Sequence, residues 1–281
     1  MTRQADRSLE QCVALVQARA RQVRRHIVEM VYLAQSGHIG GALSAADIVT
    51  ALYWDLMRID PARPDWPDRD RFILSKGHAC PVWYANLAMR GYFGLEHLRT
   101  LRQFGSILQG HPDMHKTPGV DITTGSLGQG LSLGVGMALH GKLAGKDYRV
   151  YVMLGDGEIN EGQVWEAAAS SAKYKLDNLI AFVDNNRLQM DGLTADVMPM
   201  EPIDAKWRAF NWEVARIDGH DVRAILSAVE WAWTVRGRPV CIIADTVKGK
   251  GVSFMENQRA WHGEAPNQEQ YEQAMAELAG P

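Results

Sequence analysis

Asp156 stands between Gly155 and Gly157, directly after the apolar run Tyr148–Leu154. A carboxylate at the carboxyl end of a strand is placed to meet a bound cation. Gly157 leaves room for phosphate oxygens to approach backbone N–H groups. A second apolar run, Leu179–Val183, ends in Asp184-Asn185-Asn186. If the two strands pair side by side, Asp156 and Asn186 become neighbours. One carboxylate, one amide oxygen and a nearby backbone carbonyl form a hard-oxygen set suited to Mg²⁺ and diphosphate oxygens. Either segment alone reads as a tight turn; the pair, each at a strand end, is the more specific signal.

Four histidines, His38, His78, His111 and His262, each adjoin a glycine in an irregular stretch. Imidazole can donate to phosphate or sugar oxygens and exchange protons near neutral pH. One such residue would read as a loop histidine. His26, His97, His115 and His140 lie on helix faces or polar loop and read as structural, as does His220 after Asp218-Gly219. Three other patterns fail on context. Gly128-x-Gly130-x-x-x-Gly134 follows a loop and suits close helix packing better than a dinucleotide. Lys248-Gly249-Lys250-Gly251 lacks P-loop spacing and reads as an exposed loop. His111 and His115 flank Pro112, which argues against a helical zinc pair.

The elements that must position these residues alternate. Ser8 and Gln11 read as a capping pair opening a long amphipathic helix that Gly37 ends, with Arg21, Arg24 and Arg25 on a solvated face. Ser44 is expected to cap a second helix reaching Met57, and Asp60–Asp70 to be irregular. Strands are expected at Arg71–Ser75, Tyr148–Leu154, Leu179–Val183, Trp212–Ile217 and Val240–Thr246. Helices are expected near Pro81–Arg90, Glu96–Gln103, Leu127–Leu143, Val164–Tyr174 and Val222–Val235, with a long loop over Phe104–Thr124. Strands separated by helices predict an α/β fold: a parallel sheet with helices on both faces and a ligand beyond the strands' carboxyl ends. The expectation is one domain over residues 1–281, irregular from about residue 247.

The ordered set of segments resembles the transketolase family. It comprises Ser36-Gly37-His38, Leu74-Ser75-Lys76-Gly77-His78, Gly110-His111-Pro112, Thr123 through Gly130, Gly155 through Gly162 leading to Asn185-Asn186 and Asp191-Gly192, and Trp261-His262-Gly263. The first half of a full-length member is matched, so the chain looks like the N-terminal subunit of a split transketolase with a thiamine-diphosphate-binding fold. The resemblance implies thiamine diphosphate and Mg²⁺, with Ca²⁺ or Mn²⁺ acceptable, and transfer of a two-carbon ketol unit from a ketose phosphate to an aldose. It implies metal ligands Asp156, Asn186 and the Leu188 carbonyl. Cofactor contacts follow from His78, Gly125, Ser126, Leu127, Asp156, Gly157, Glu161, Asn186 and His262. His38, His111 and His262 fall at catalytic positions, and Glu161 at a carboxylate that members place at the subunit contact.

Ser126 stands where many members have proline, which backbone contacts tolerate. Arg187 is larger than the glycine often found there and is expected to reshape the pocket mouth. The implied partner is a C-terminal, pyrimidine-binding transketolase chain in a two-fold heterotetramer. A 2-oxo acid dehydrogenase E1 subunit, a 1-deoxyxylulose-phosphate synthase-like enzyme and a non-catalytic cofactor-binding scaffold are the alternatives.

Composition excludes other classes. The 281 residues are 46% hydrophobic and 22% charged, with net charge −3. That is globular usage, without the basic excess that nucleic acid or anionic membranes demand. No apolar run is long enough to span a bilayer, and polar Met1–Glu10 does not read as a secretory signal. Three scattered cysteines suggest neither disulfides nor zinc, and fit a cytoplasmic protein.

Overall fold

The computed structural model describes residues 7–280; residues 1–6 of the polar N-terminal stretch lie outside it. Helix α1, Leu9–Ala34, opens with the expected Ser8–Gln11 capping box and ends at Gln35 in the left-handed region, φ 46°, two residues before Gly37. Its buried stripe runs through Cys12, Val16, Ala20, Val23 and Ile27. Arg24 is not on a solvated face. It is buried and pairs bidentately with Asp47 at 3.0 and 2.6 Å. Asp47 also accepts from His220 Nδ1 at 2.8 Å, and His220 Nε2 accepts from the Val247 N–H. The polar knot ties α1 to the loops after the last two strands and confirms His220 as structural.

The expected helix from Ser44 is two short ones, α2 (Ile39–Ser44) and α3 (Ala46–Ala51), followed by a π turn at Leu52–Leu56. Ser44 caps nothing: it closes α2, and its hydroxyl donates to Asp184 at 2.5 Å. Strand β1 (Arg71–Leu74) leads through a 3-10 turn, Gly77–Ala79, into α4 (Cys80–Arg90). The helix expected at Glu96–Gln103 is only a 3-10 turn, Leu95–Thr100. After the long loop come α5 (Gln129–Leu143), β2 (Val150–Gly155), α6 (Gly162–Lys173) and β3 (Leu179–Asn185). Two helices missed in the sequence, α7 (Thr194–Val197) and α8 (Ile203–Ala209), precede β4 (Glu213–Asp218), α9 (Val222–Ala232) and β5 (Val240–Asp245). The segment expected to be irregular carries a 3-10 turn, Arg259–His262, and α10 (Gln268–Glu277), capped by Asn267 and Gln270.

The five strands are all parallel, in the order β1-β2-β3-β5-β4. Alternation along each strand feeds two cores. Tyr151, Met153, Ile180 and Phe182 face α1, α3, α4 and α9; Val150, Val152, Leu154, Ala181 and Val183 face α5, α6 and α8. The glycines of α5 serve packing. A Cβ at Gly130 would lie 2.7 Å from the Ser75 Cα, and one at Gly134 2.6 Å from a Val152 methyl. The outward side of α5 is also apolar in part, with Leu133 exposed and Leu143 81% exposed. All three cysteines are buried and none is in a disulfide, and no helix of the described residues is long and apolar enough to cross a membrane.

Candidate active site

Strands β2 and β3 pair in register with Gly155 opposite Asp184, so Asp156 and Asn186 leave the sheet side by side. A cavity of about 460 Å³ opens there. Asp156, Gly157, Asn186 and Leu188 line it, as do Gly125, Leu127 and Glu161, and all four of the glycine-flanked histidines. Ser126, expected among the cofactor contacts, does not line it. Arg187 does not reach the mouth as expected. At φ 63° it turns toward a separate cavity and sits 3.4 Å from Asp245, while its N–H donates to Asp156 Oδ2 at 2.5 Å.

Buried polar groups set the floor. Asp184 is fully buried and accepts from the Lys76 ammonium, from Ser44 and Thr246, and from Asn186 Nδ2 at 3.4 Å. Burial raises its carboxyl pKa, but Lys76 and these hydrogen bonds outweigh that and hold it below the ordinary range. Glu158 accepts from the Ser75 hydroxyl at 2.5 Å and from the N–H groups of Gly128 and Gly155 at 2.9 and 3.0 Å. It thus joins the Gly125–Gly128 turn, the end of β1 and the Asp156 turn. Gly77 is required beneath that turn: a Cβ there would lie 2.7 Å from Thr124 Oγ1 and 2.9 Å from the Gly125 nitrogen.

Three histidine rings meet on one wall. His38 lies 5.0 Å from His78 and 5.4 Å from His262, and His78 stacks on His262 at 5.4 Å, all between ring centroids. Burial is the main cause that holds each one neutral. His78 is pushed down to about 2, with Lys76 adding to the effect; His38 and His262 to about 4, with Arg102 and Lys248 respectively adding to it. His111 packs its ring against Gly125, where a Cβ would be 3.2 Å away, and is lowered by burial and Arg102. These neutral rings offer one donor and one acceptor each at physiological pH.

Lys248 corrects the expectation of an exposed loop. It is 1% exposed, and its ammonium lies 3.2 Å from the Leu188 carbonyl oxygen and 2.8 Å from His262 Nδ1. Burial pulls it down to about 8. Lys76, Gln189 and Asn160 are further lining residues missed in the sequence. Gln189 rests on Gly157, and its Nε2 and the Asn160 Oδ1 are buried without a partner.

The donor set fits a hard cation. Asp156 is 4% exposed and has no ion-pair partner among the described residues; burial and then the Asp184 charge push it up to about 7. A dication removes both penalties. The Leu188 carbonyl already faces a positive group. No cluster of three or more His, Cys, Asp or Glu among the described residues has metal-binding geometry. A cation here would instead meet the mixed carboxylate, amide and carbonyl set of Asp156, Asn186 and Leu188. Unpaired Gln189 Nε2 beside Gly157 and two buried ammonium groups suit an anionic diphosphate.

A family model described as transketolase, thiamine diphosphate binding domain, matches residues 16–279. The chain is 48% identical over 263 residues to the 6-deoxy-6-sulfo-D-fructose transketolase subunit SqwG of Clostridium sp. (strain MSTE9), covering 94% of this chain and 96% of that one. It is 45% identical to an apulose-4-phosphate transketolase subunit of Phocaeicola vulgatus, covering 91% of each. The crystal structure of transketolase from Campylobacter jejuni superposes with a TM-score of 0.91 at 34% identity, over 95% of this chain and 43% of that one. The chain thus spans about two fifths of the length of the transketolases whose solved structures it matches. By sequence and fold, it belongs to the transketolase family, in the N-terminal thiamine-diphosphate-binding part.

Proposed function

We propose that this chain, acting as one diphosphate-binding domain, holds thiamine diphosphate and Mg²⁺ in the 460 Å³ cavity. With a pyrimidine-binding partner chain it transfers a two-carbon ketol unit from a ketose phosphate to an aldose. The observation that carries this reading is convergence: residues chosen from six separate segments line one cavity at the carboxyl ends of β1, β2 and β3. Relatives that are named transketolase subunits, matched over 91–96% of their length, support the need for a partner.

Asp156, Asn186 and the Leu188 carbonyl hold the cation, and the backbone around Gly157 faces the diphosphate. Lys76 and Lys248 add positive charge on that side, and His78 donates a hydrogen bond. The backbone of Gly125 and Leu127, braced through Glu158, faces the cofactor's pyrimidine end. When bound, thiamine diphosphate supplies the carbon nucleophile and the electron sink for carbon–carbon bond exchange. The residues of this chain orient the sugar and handle protons. His38 and His262, neutral and nearly perpendicular at 90°, donate to substrate hydroxyls, and His111 donates near the donor carbonyl.

Asp156→Ala removes the only carboxylate of the cation set. Calorimetry on the complex with Mg²⁺ present is expected to show no measurable thiamine diphosphate binding. Unchanged affinity would remove Asp156 from the site.

A further inference from the structure

Arg102 belongs to none of the segments that drew attention in the sequence, yet its guanidinium lies against two of them. Its backbone is left-handed, φ 61°, and its N–H donates to the Leu108 carbonyl at 2.8 Å. No carboxylate of a described residue pairs with it. Its Nη1 donates to Ser36 Oγ at 2.8 Å and its Nη2 contacts His38 Nδ1 at 3.5 Å. The guanidinium lies on Gly110, where a Cβ would be 3.0 Å from Cζ. Ser36 and His38 lie between α1 and α2; Gly110 immediately precedes His111. The Gln109 and Gly110 carbonyls are held from α4 by the Tyr84 hydroxyl at 3.0 Å and by Cys80 Sγ at 3.3 Å. One guanidinium therefore couples the loops that carry His38 and His111.

A guanidinium has five donors, no acceptor, and keeps its charge at any pH a protein survives. The ring nitrogen it meets must be the acceptor. His38 Nδ1 is then bare, and the proton sits on Nε2.

We propose that Arg102 is a positioning residue: it holds His38 in the Nε2–H tautomer and locks that ring to the His111 loop. The tautomer stands on geometry alone; its kinetic consequence rests on the ketol-transfer reading. The titratable and charged groups facing His38 are Arg102 and His111 from the long loop, His78 from the turn before α4, Lys248 from the loop after β5, and His262. None is anionic. Burial and the Arg102 charge are the two largest causes keeping His38 neutral, so removing that charge raises its protonation midpoint.

The test uses ¹⁵N-histidine-labelled chain, long-range ¹H–¹⁵N spectra across pH, and a His38→Gln sample for assignment. The wild type is expected to show a bare Nδ1 and a protonated Nε2. Arg102→Leu is expected to mix the tautomers and move the midpoint up. Gly110→Ala, which displaces the guanidinium but keeps its charge, tests the same contact if Arg102→Leu folds poorly, and is expected to mix the tautomers with a smaller midpoint shift. In the complex with the partner chain, Arg102→Leu is expected to lower kcat/KM for the donor by about 10- to 100-fold. Thiamine diphosphate affinity should not change, and Arg102→Lys should restore part of the loss. An Nδ1–H tautomer in the wild type, or an identical tautomer and midpoint in both variants, overturns the proposal. A tautomer shift in a protein whose wild-type complex transfers no ketol unit upholds it and overturns the ketol-transfer reading instead.

Discussion

The histidine wall makes the folded chain sensitive to acid. His38, His78 and His262 take up protons below about pH 6.5 in an unfolded chain, but only at about 4, 2 and 4 in the folded one. The unfolded state therefore binds protons first as pH falls. The stability these residues contribute is complete above pH 6.5 and is lost progressively below it, toward pH 4 for His38 and His262 and toward pH 2 for His78. His78, the most depressed, is the best probe. Urea midpoints of wild type and His78→Gln, followed from pH 7.5 to 4.5, are expected to converge as pH falls, because the glutamine amide has no proton to gain. A constant gap would show that His78 is not held neutral. Residues inside ordered motifs, such as Asp156, Asn186 and His262, were legible in the sequence. Lys248 was not. A lysine between a threonine-valine pair and a glycine looks like loop, and only the approach of the Leu188 carbonyl and the His262 ring, distant in sequence, buries it.

At the scale of elements, α5 gives the sharpest contrast. Gly134 presses on Val152, while Gly136, on the same helix, has open space where its side chain would be. Gly136→Ala is expected to stabilise the isolated chain by about 0.5–1 kcal/mol through helix propensity. Gly134→Ala should instead destabilise it by about 1–3 kcal/mol through overpacking. Denaturant unfolding of both variants reads the difference; equal effects would contradict the packing role given to these glycines. All five strands were legible because each is a short apolar run between turns, and their order placed Asp156 beside Asn186. The helices were harder wherever the pattern is local and brief. The Gly40-Gly41 pair in α2 hides a helix buried on all sides. Polar α10 offered only its Asn267–Gln270 capping box, a signal that was present and overlooked. Arg24 shows the converse: its spacing on α1 is that of a surface residue, and Asp47, brought in by α3, together with the Lys250 carbonyl, turns it inward.

For the whole molecule, Leu127 and Glu161 line the cavity and are exposed, and α5, which starts at Gln129, carries exposed Leu133 and Leu143 on its outer side. Binding sites for cofactors normally enclose most of the ligand, and exposed apolar surface of this kind marks contact with another chain. In the proposed reading, the carboxylate that activates the cofactor's aminopyrimidine comes from a pyrimidine-binding partner chain. The central claim is thus that this chain supplies half of a catalytic site. The direct measurement is ketol transfer from a ketose phosphate to an aldose, with thiamine diphosphate and Mg²⁺ present, by the purified chain alone and after addition of a pyrimidine-binding transketolase chain. The account predicts no turnover from the chain alone and turnover on adding the partner. Robust turnover by the chain freed of every co-purifying protein would contradict it.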